Sequence, residues 1–269
     1  VRISPASTTV DDHNQAEPRC SVREIPLERR LVLALDVADR EAALDLYRRT
    51  KASVGTFKIG LELFIATGPT LIDRIRKDGG EVFLDLKLHD IPNTVAAAVR
   101  EASHHGVSWL TVHALGGRQM MQAAQGALQH MTSIPGVRGL QLLAVSILTH
   151  HTGRELVDLG LGDNVESQVL RLVELARDAG LEGAVCSPEE ITSVRRALGE
   201  SFFIITPGIR PPGAPLGDQA RTATPFEAMR DGADLIVVGR PIRTAPDPGR
   251  AAADILIEIE RGLAARGAP

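Results

Sequence analysis

Eight times along the chain, a run of no more than seven mostly apolar residues gives way to a polar or amphipathic segment. The runs are LVLALD (31–36), TFKIG (56–60), EVFLDLK (81–87), WLTVHA (109–114), LQLLAVS (140–146), GAVCS (183–187), FFIITPG (202–208) and DLIVVG (234–239). Nearly continuous apolar character is the mark of strands buried on both faces, as in a parallel sheet covered by helices. The intervening segments read as those helices. Residues 40–51 follow Asp39, whose carboxylate suits an N-cap. Residues 93–105 carry Val95, Ala98, Val99 and Ala102 at helical spacing and stop at Gly106, and residues 165–179 align Val169, Leu172, Val173 and Ala176 before Gly180. Strand alternating with helix implies right-handed crossovers and a parallel sheet. Eight such units in 269 residues fit an α/β protein with a single closed (β/α)8 TIM barrel. The first strand lacks the G-x-G-x-x-G that opens a dinucleotide-binding fold.

The barrel is expected to span 29–269, after an N-terminal tail, 1–28, that shows no periodicity. A net charge of −4 argues against a sequence-blind nucleic-acid binder, and 3% aromatics against a base-stacking surface. No apolar run approaches the roughly 18 residues of a membrane span. Asp11, Asp12 and His13 stand where a secretion signal would be apolar, so a cytoplasmic protein is expected. Cys20 and Cys186 form neither a disulfide framework nor a metal-ligand spacing, and read as reduced thiols.

In such a barrel, chemistry collects at the carboxyl ends of the strands. Here those ends carry Asp36, Lys58, Asp85 with Lys87, His113, Ser146 with Thr149, Arg210, and Gly239 with Arg240. Asp85 and Lys87, two apart, leave the same face of strand three, where Asp36 and Lys58 can reach them in an alternating carboxylate–ammonium set. A salt-bridge network that serves only stability is the competing reading. A lysine held among carboxylates is placed as a general acid needs to be. The loop PGIRPPGAPLGDQAR (207–221) brings Arg210, Gln219 and Arg221, and VGRPI (238–242) brings Gly239 and Arg240. Loops after strands seven and eight are the usual phosphate site of these barrels. Other candidates fall away. The side chains of His104-His105 and of His150-His151 diverge and lack carboxylates at ligand spacing. Ser146 and Ser187 lack a nucleophile elbow. His113 reads as a hydrogen-bonding group of the barrel, and Glu62 as either a mouth or a solvent residue.

Taken together, these residues resemble the orotidine 5′-phosphate decarboxylase family, in its bacterial form. LALDV, FKIG, DLKLHDIPNT, VHALGG, VCSPEE, TPGIRP, GDQAR and VVGRPI stand in the family's order across about 31–262. The decamer with TPGIRP is specific, whereas D-x-K-x-x-D alone is shared by a wider group of phosphosugar barrels. The resemblance implies decarboxylation of orotidine 5′-monophosphate to uridine 5′-monophosphate in de novo pyrimidine synthesis, with no metal and no cofactor. It makes Lys87 the proton donor to carbon 6 and sets Asp85 against the substrate carboxylate. Asp90 would cross a homodimer interface into the neighbouring site, with Ile91 and Thr94. Asp36 and Lys58 would hold the ribose hydroxyls, and Thr149, or Thr152 in its place, the pyrimidine. Arg210, Gln219, Gly239 and Arg240 would grip the phosphate. The THHTGREL wording from Thr149 onward departs from common family members.

Loss of carbon dioxide from a ring with no electron sink leaves a localised carbanion, which electrostatics must stabilise. Two alternatives remain on sequence grounds. A magnesium-dependent phospho-keto-sugar decarboxylase or aldolase of the same barrel group is disfavoured by Lys58 at strand two. A non-catalytic phosphonucleotide-binding barrel is disfavoured because simple binding needs no carboxylate aimed at an anionic ligand.

Overall fold

A computed structural model describes residues 25–129, 139–213 and 221–266. Cys20, Gln219 and tail residues 1–24 lie outside the described residues. Each apolar run supplies one strand: β1 (Leu31–Ala34), β2 (Thr56–Gly60), β3 (Glu81–Leu88), β4 (Trp109–His113), β5 (Gln141–Val145), β6 (Gly183–Val185), β7 (Phe203–Thr206) and β8 (Leu235–Val238). They form a closed barrel in sequence order, every neighbour parallel, with β1 completing the circle against β8. Several strands end one or two residues before their apolar runs do. Asp36, for example, lies beyond the end of β1, where the chain is free to turn its carboxylate over the barrel mouth.

Alternate strand positions separate two apolar layers. Val32, Ala34, Phe83, Trp109, Leu143, Phe203, Ile205, Leu235 and Val237 pack on one another inside the barrel. Trp109 and Phe203 meet there edge to face, centroids 5.2 Å apart. The other positions, among them Leu33, Phe57, Leu84, Leu110 and Ile204, pack against the surrounding helices. Both strand faces are therefore dry, as the unbroken apolar runs require.

The helices begin where capping chemistry places them. The Ala42 N–H donates to Asp39 at 2.9 Å to open helix Arg40–Thr50. Pro92 occupies the first turn of Pro92–His104, and Asn164 caps Val165–Asp178. Helix Pro248–Ala265 packs against β1 and Arg40–Thr50, covering the seam where the barrel closes. Ile25 and Leu27, just ahead of β1, also pack against the core. Among the described residues, no helix is long and apolar enough to cross a membrane.

Candidate active site

The site is built around a break in β3. Leu84 pairs with Leu110 and Leu88 with Val112, so three residues of β3 oppose the single Thr111 of β4. This is a bulge two residues deep, uncommon between parallel strands. Lys87 takes φ +49°, the one positive φ at a non-glycine position among the described residues. Such a conformation costs about 1–3 kcal/mol and persists only where surrounding contacts enforce it. Thr111 supplies the enforcement: its hydroxyl accepts from the Lys87 N–H at 2.9 Å and donates to Asp85 at 3.0 Å. The simple two-residue alternation expected from the sequence therefore does not operate here. Asp85 and Lys87 meet because the bulge folds them together.

The charges form a continuous line. Asp36 lies 2.9 Å from the Lys58 ammonium, Lys58 is 3.8 Å from Asp85, and Asp85 is 2.8 Å from the Lys87 ammonium. Burial alone would push the Asp85 carboxyl up; Lys87 and Lys58, with hydrogen bonds from Lys87 and Thr111, outweigh it and hold the carboxyl below the ordinary aspartate range. Gly60 leaves room for this line. A Cβ there would stand 3.2 Å from the Lys58 nitrogen and 3.6 Å from Asp36.

A cavity of about 510 Å³ opens over the line. Phe83, Val145, Val185 and Val237 form apolar wall, and Thr149 enters from the loop after β5. Gly208 and Arg210 line it after β7, and Gly239, Arg240 and Arg243 after β8. Thus Asp36, Lys58, Asp85, Lys87, Thr149, Arg210, Gly239 and Arg240 share one cavity. Its two poles are a carboxylate–ammonium line and a cluster of arginines.

Asp90, Ile91 and Thr94 do not line this cavity. They sit at the exposed start of helix Pro92–His104, where Asp90 accepts from the Ile91 N–H at 2.6 Å. Thr152 is engaged elsewhere. It caps helix Gly153–Asp158 in a reciprocal box with Glu155, whereas Thr149 faces the cavity. Glu62 is exposed. His113 stacks on His89 with centroids 5.5 Å apart and accepts from the Leu115 N–H at 3.4 Å. Burial, then the neighbouring His89, Lys87 and His151, push its pKa down to about 4, so it is a neutral imidazole near pH 7. Cys186 is buried and its thiol is pushed up by burial, which leaves it inert. Among the described residues, no group of three or more His, Cys, Asp or Glu side chains is arranged to hold a metal ion.

Two contributors, Thr111 and Arg243, and the partner of a third were not read from the sequence. The third is Arg221, whose guanidinium pairs with buried Glu190 and donates to the carbonyls of Thr149 at 3.3 Å and Leu148 at 3.4 Å. Glu190 also accepts from the Ser187 N–H at 2.8 Å, so one ion pair ties together the loops after β5, β6 and β7. Arg221 was visible in GDQAR, but its partner could not be named without the fold.

A closed parallel barrel with a charged line and an arginine cluster at its carboxyl-end mouth defines a class: (β/α)8 enzymes that act on small phosphorylated substrates. The family model described as orotidine 5′-phosphate decarboxylase / HUMPS matches residues 29–255, and the chain belongs to that family. It is 47% identical over 232 residues to the orotidine 5′-phosphate decarboxylase of Moorella thermoacetica, covering 86% of this chain and 92% of that one. It is 51% identical over 209 residues to that of Geobacter sulfurreducens, covering 78% and 87%. The crystal structure of the Lactobacillus acidophilus enzyme of that name superposes with a TM-score of 0.77 at 36% identity, covering 86% of this chain and 99% of that one.

Proposed function

We propose that this chain decarboxylates orotidine 5′-monophosphate to uridine 5′-monophosphate and carbon dioxide, as a cytoplasmic, cofactor-free enzyme of pyrimidine nucleotide synthesis. The observation that carries this reading is the Lys58–Asp85–Lys87 line, set in one cavity with Arg210 and Arg240. Its barrel, 29–269, forms one catalytic domain.

Phosphate binding among the arginines sets the pyrimidine over Asp85 and Lys87. The substrate carboxylate then lies against the Asp85 carboxylate. Two such charges about 4 Å apart repel by roughly 4 kcal/mol at an effective dielectric near 20. The bond from carbon 6 to the carboxylate carbon breaks, its electron pair stays on carbon 6, and carbon dioxide leaves. The fixed Lys87 ammonium favours the developing negative charge and gives carbon 6 its proton. Energy from the remote phosphate offsets the ground-state repulsion. Asp36 and Lys58 hold the ribose hydroxyls, and Thr149 contacts the base. The enzyme acts as a homodimer, with Asp90 completing the partner's site beside Ile91 and Thr94. The exposure of these residues on the segment that follows Lys87 supports that part of the reading.

Mixing the purified chain with orotidine 5′-monophosphate and following its ultraviolet absorbance tests the proposal. Steady loss of absorbance that survives a chelator is expected. An unchanged spectrum would overturn the assignment, and loss abolished by the chelator would shift it to the magnesium-dependent branch.

A further inference from the structure

Among the described residues, Arg243 presents a cation without a counterpart. It ends the short helix Arg240–Arg243 after β8, three positions from Arg240, and it lines the cavity with Arg240, Arg210 and Gly239. Its Nε is buried and has no hydrogen-bond partner, and its guanidinium makes no ion pair among the described residues. Other half-buried arginines behave differently. Arg195 and Arg266 are saturated by Asp234, and Arg221 by Glu190. A buried donor left unmatched costs about 1–3 kcal/mol, so a group in that condition on a cavity wall is matched when the cavity fills.

The chemistry of the missing partner follows from the surroundings. Three guanidinium groups line the part of the cavity formed by the β7 and β8 loops. A planar fork of N–H donors fits a tetrahedral oxyanion carrying two charges better than it fits a neutral hydroxyl or a ring amide. The carboxylates of the site, Asp36 and Asp85, are already engaged by Lys58 and Lys87. We propose that Arg243 is a direct ligand of the substrate's phosphoryl group, acting beside Arg210 and Arg240. This deepens the reading of the chain as a nucleotide decarboxylase and rests on it for the substrate. Because Arg243 stands outside the line of charges that ends at Lys87, it acts through affinity and leaves the proton transfer itself alone.

Calorimetric titration tests the assignment with two probes, uridine 5′-monophosphate and uridine, on the full chain and on Arg243→Ala, Arg243→Lys and Arg250→Ala. Arg250 is an exposed surface arginine paired with Asp254, and controls for loss of one positive charge. Charge-assisted hydrogen bonds of this kind correspond to roughly tenfold to a hundredfold in affinity. Arg243→Ala is therefore expected to weaken the nucleotide by that factor and leave the nucleoside within about twofold, with Arg243→Lys intermediate and Arg250→Ala unchanged. Nucleotide affinity that stays within twofold in Arg243→Ala overturns the proposal, as does an equal loss for both probes. Binding is read without turnover. A wild-type chain that binds the nucleotide but fails to consume orotidine 5′-monophosphate therefore overturns the proposed function and not the Arg243 assignment.

Discussion

The two ends of this barrel both bury charge, and they do so in opposite ways. At the amino end of the strands, fully buried Asp234 accepts from Arg195 at 2.6 Å, from Arg266 at 3.2 Å and from the Ile204 N–H at 2.9 Å. At the start of β3, Glu81 pairs with Arg29 at 2.9 Å. These charges are answered by the protein, and the backbone around them is regular. At the carboxyl end, the line from Asp36 to Lys87 borders an open cavity, its last lysine sits on a strained bulge, and Arg243 lacks an ionic partner among the described residues. A saturated network specifies the fold. A network held in strain beside an empty space is arranged for a ligand.

If that contrast is right, mutations at the two ends should separate activity from stability. The largest effect is expected at Lys87. Replacing it with alanine should lower kcat about 10⁴-fold or more, with little change in the unfolding midpoint, as steady-state kinetics and circular dichroism would show. Asp234→Ala should do the reverse. Leaving Arg195 and Arg266 uncompensated costs about 3–5 kcal/mol in urea unfolding, while activity per folded molecule stays near wild type.

Thr111→Val sharpens the comparison, because it removes the clamp on the bulge without removing a charge. The Lys87 N–H and one oxygen of Asp85 lose their partner, which costs about 1–3 kcal/mol. A fall in kcat of about tenfold is expected, with a smaller loss of stability than in Asp234→Ala.

The architecture was largely legible because its strands are dry on both faces, so that apolar runs such as LVLALD and DLIVVG announce themselves. Most of the charged mouth was legible for a related reason: Asp36 ends an apolar stretch and Lys58 and Asp85 interrupt theirs, where a charge is conspicuous. The bulge was not. A break in pairing is a property of two strands, and nothing in EVFLDLK says that three of its residues face one residue of WLTVHA. The Arg221–Glu190 tie and the Asp234 cluster were hidden likewise, since their partners lie 31 and 39 residues apart in sequence. Arg243 was passed over because VGRPI was read to Ile242, one residue short of it.

The smallest expected effect is a pH dependence confined to the upper end. His113 has its pKa lowered from 6.5 to about 4, so between those values the unfolded chain takes up the proton first. Its contribution to stability is full above pH 6.5 and is lost as pH falls toward 4. His113→Asn should flatten this limb of an unfolding-versus-pH curve, whereas Asp234→Ala should lower the curve without flattening it there.

The central claim is that one cavity holds an acid at one pole and a phosphate anchor at the other. A crystal structure of the chain with uridine 5′-monophosphate measures this directly. The Lys87 nitrogen is expected within about 3.5 Å of carbon 6, with the phosphate among Arg210, Arg240 and Arg243. A Lys87 ammonium turned to bulk water, or a phosphate seated away from the loops after β7 and β8, would contradict the account.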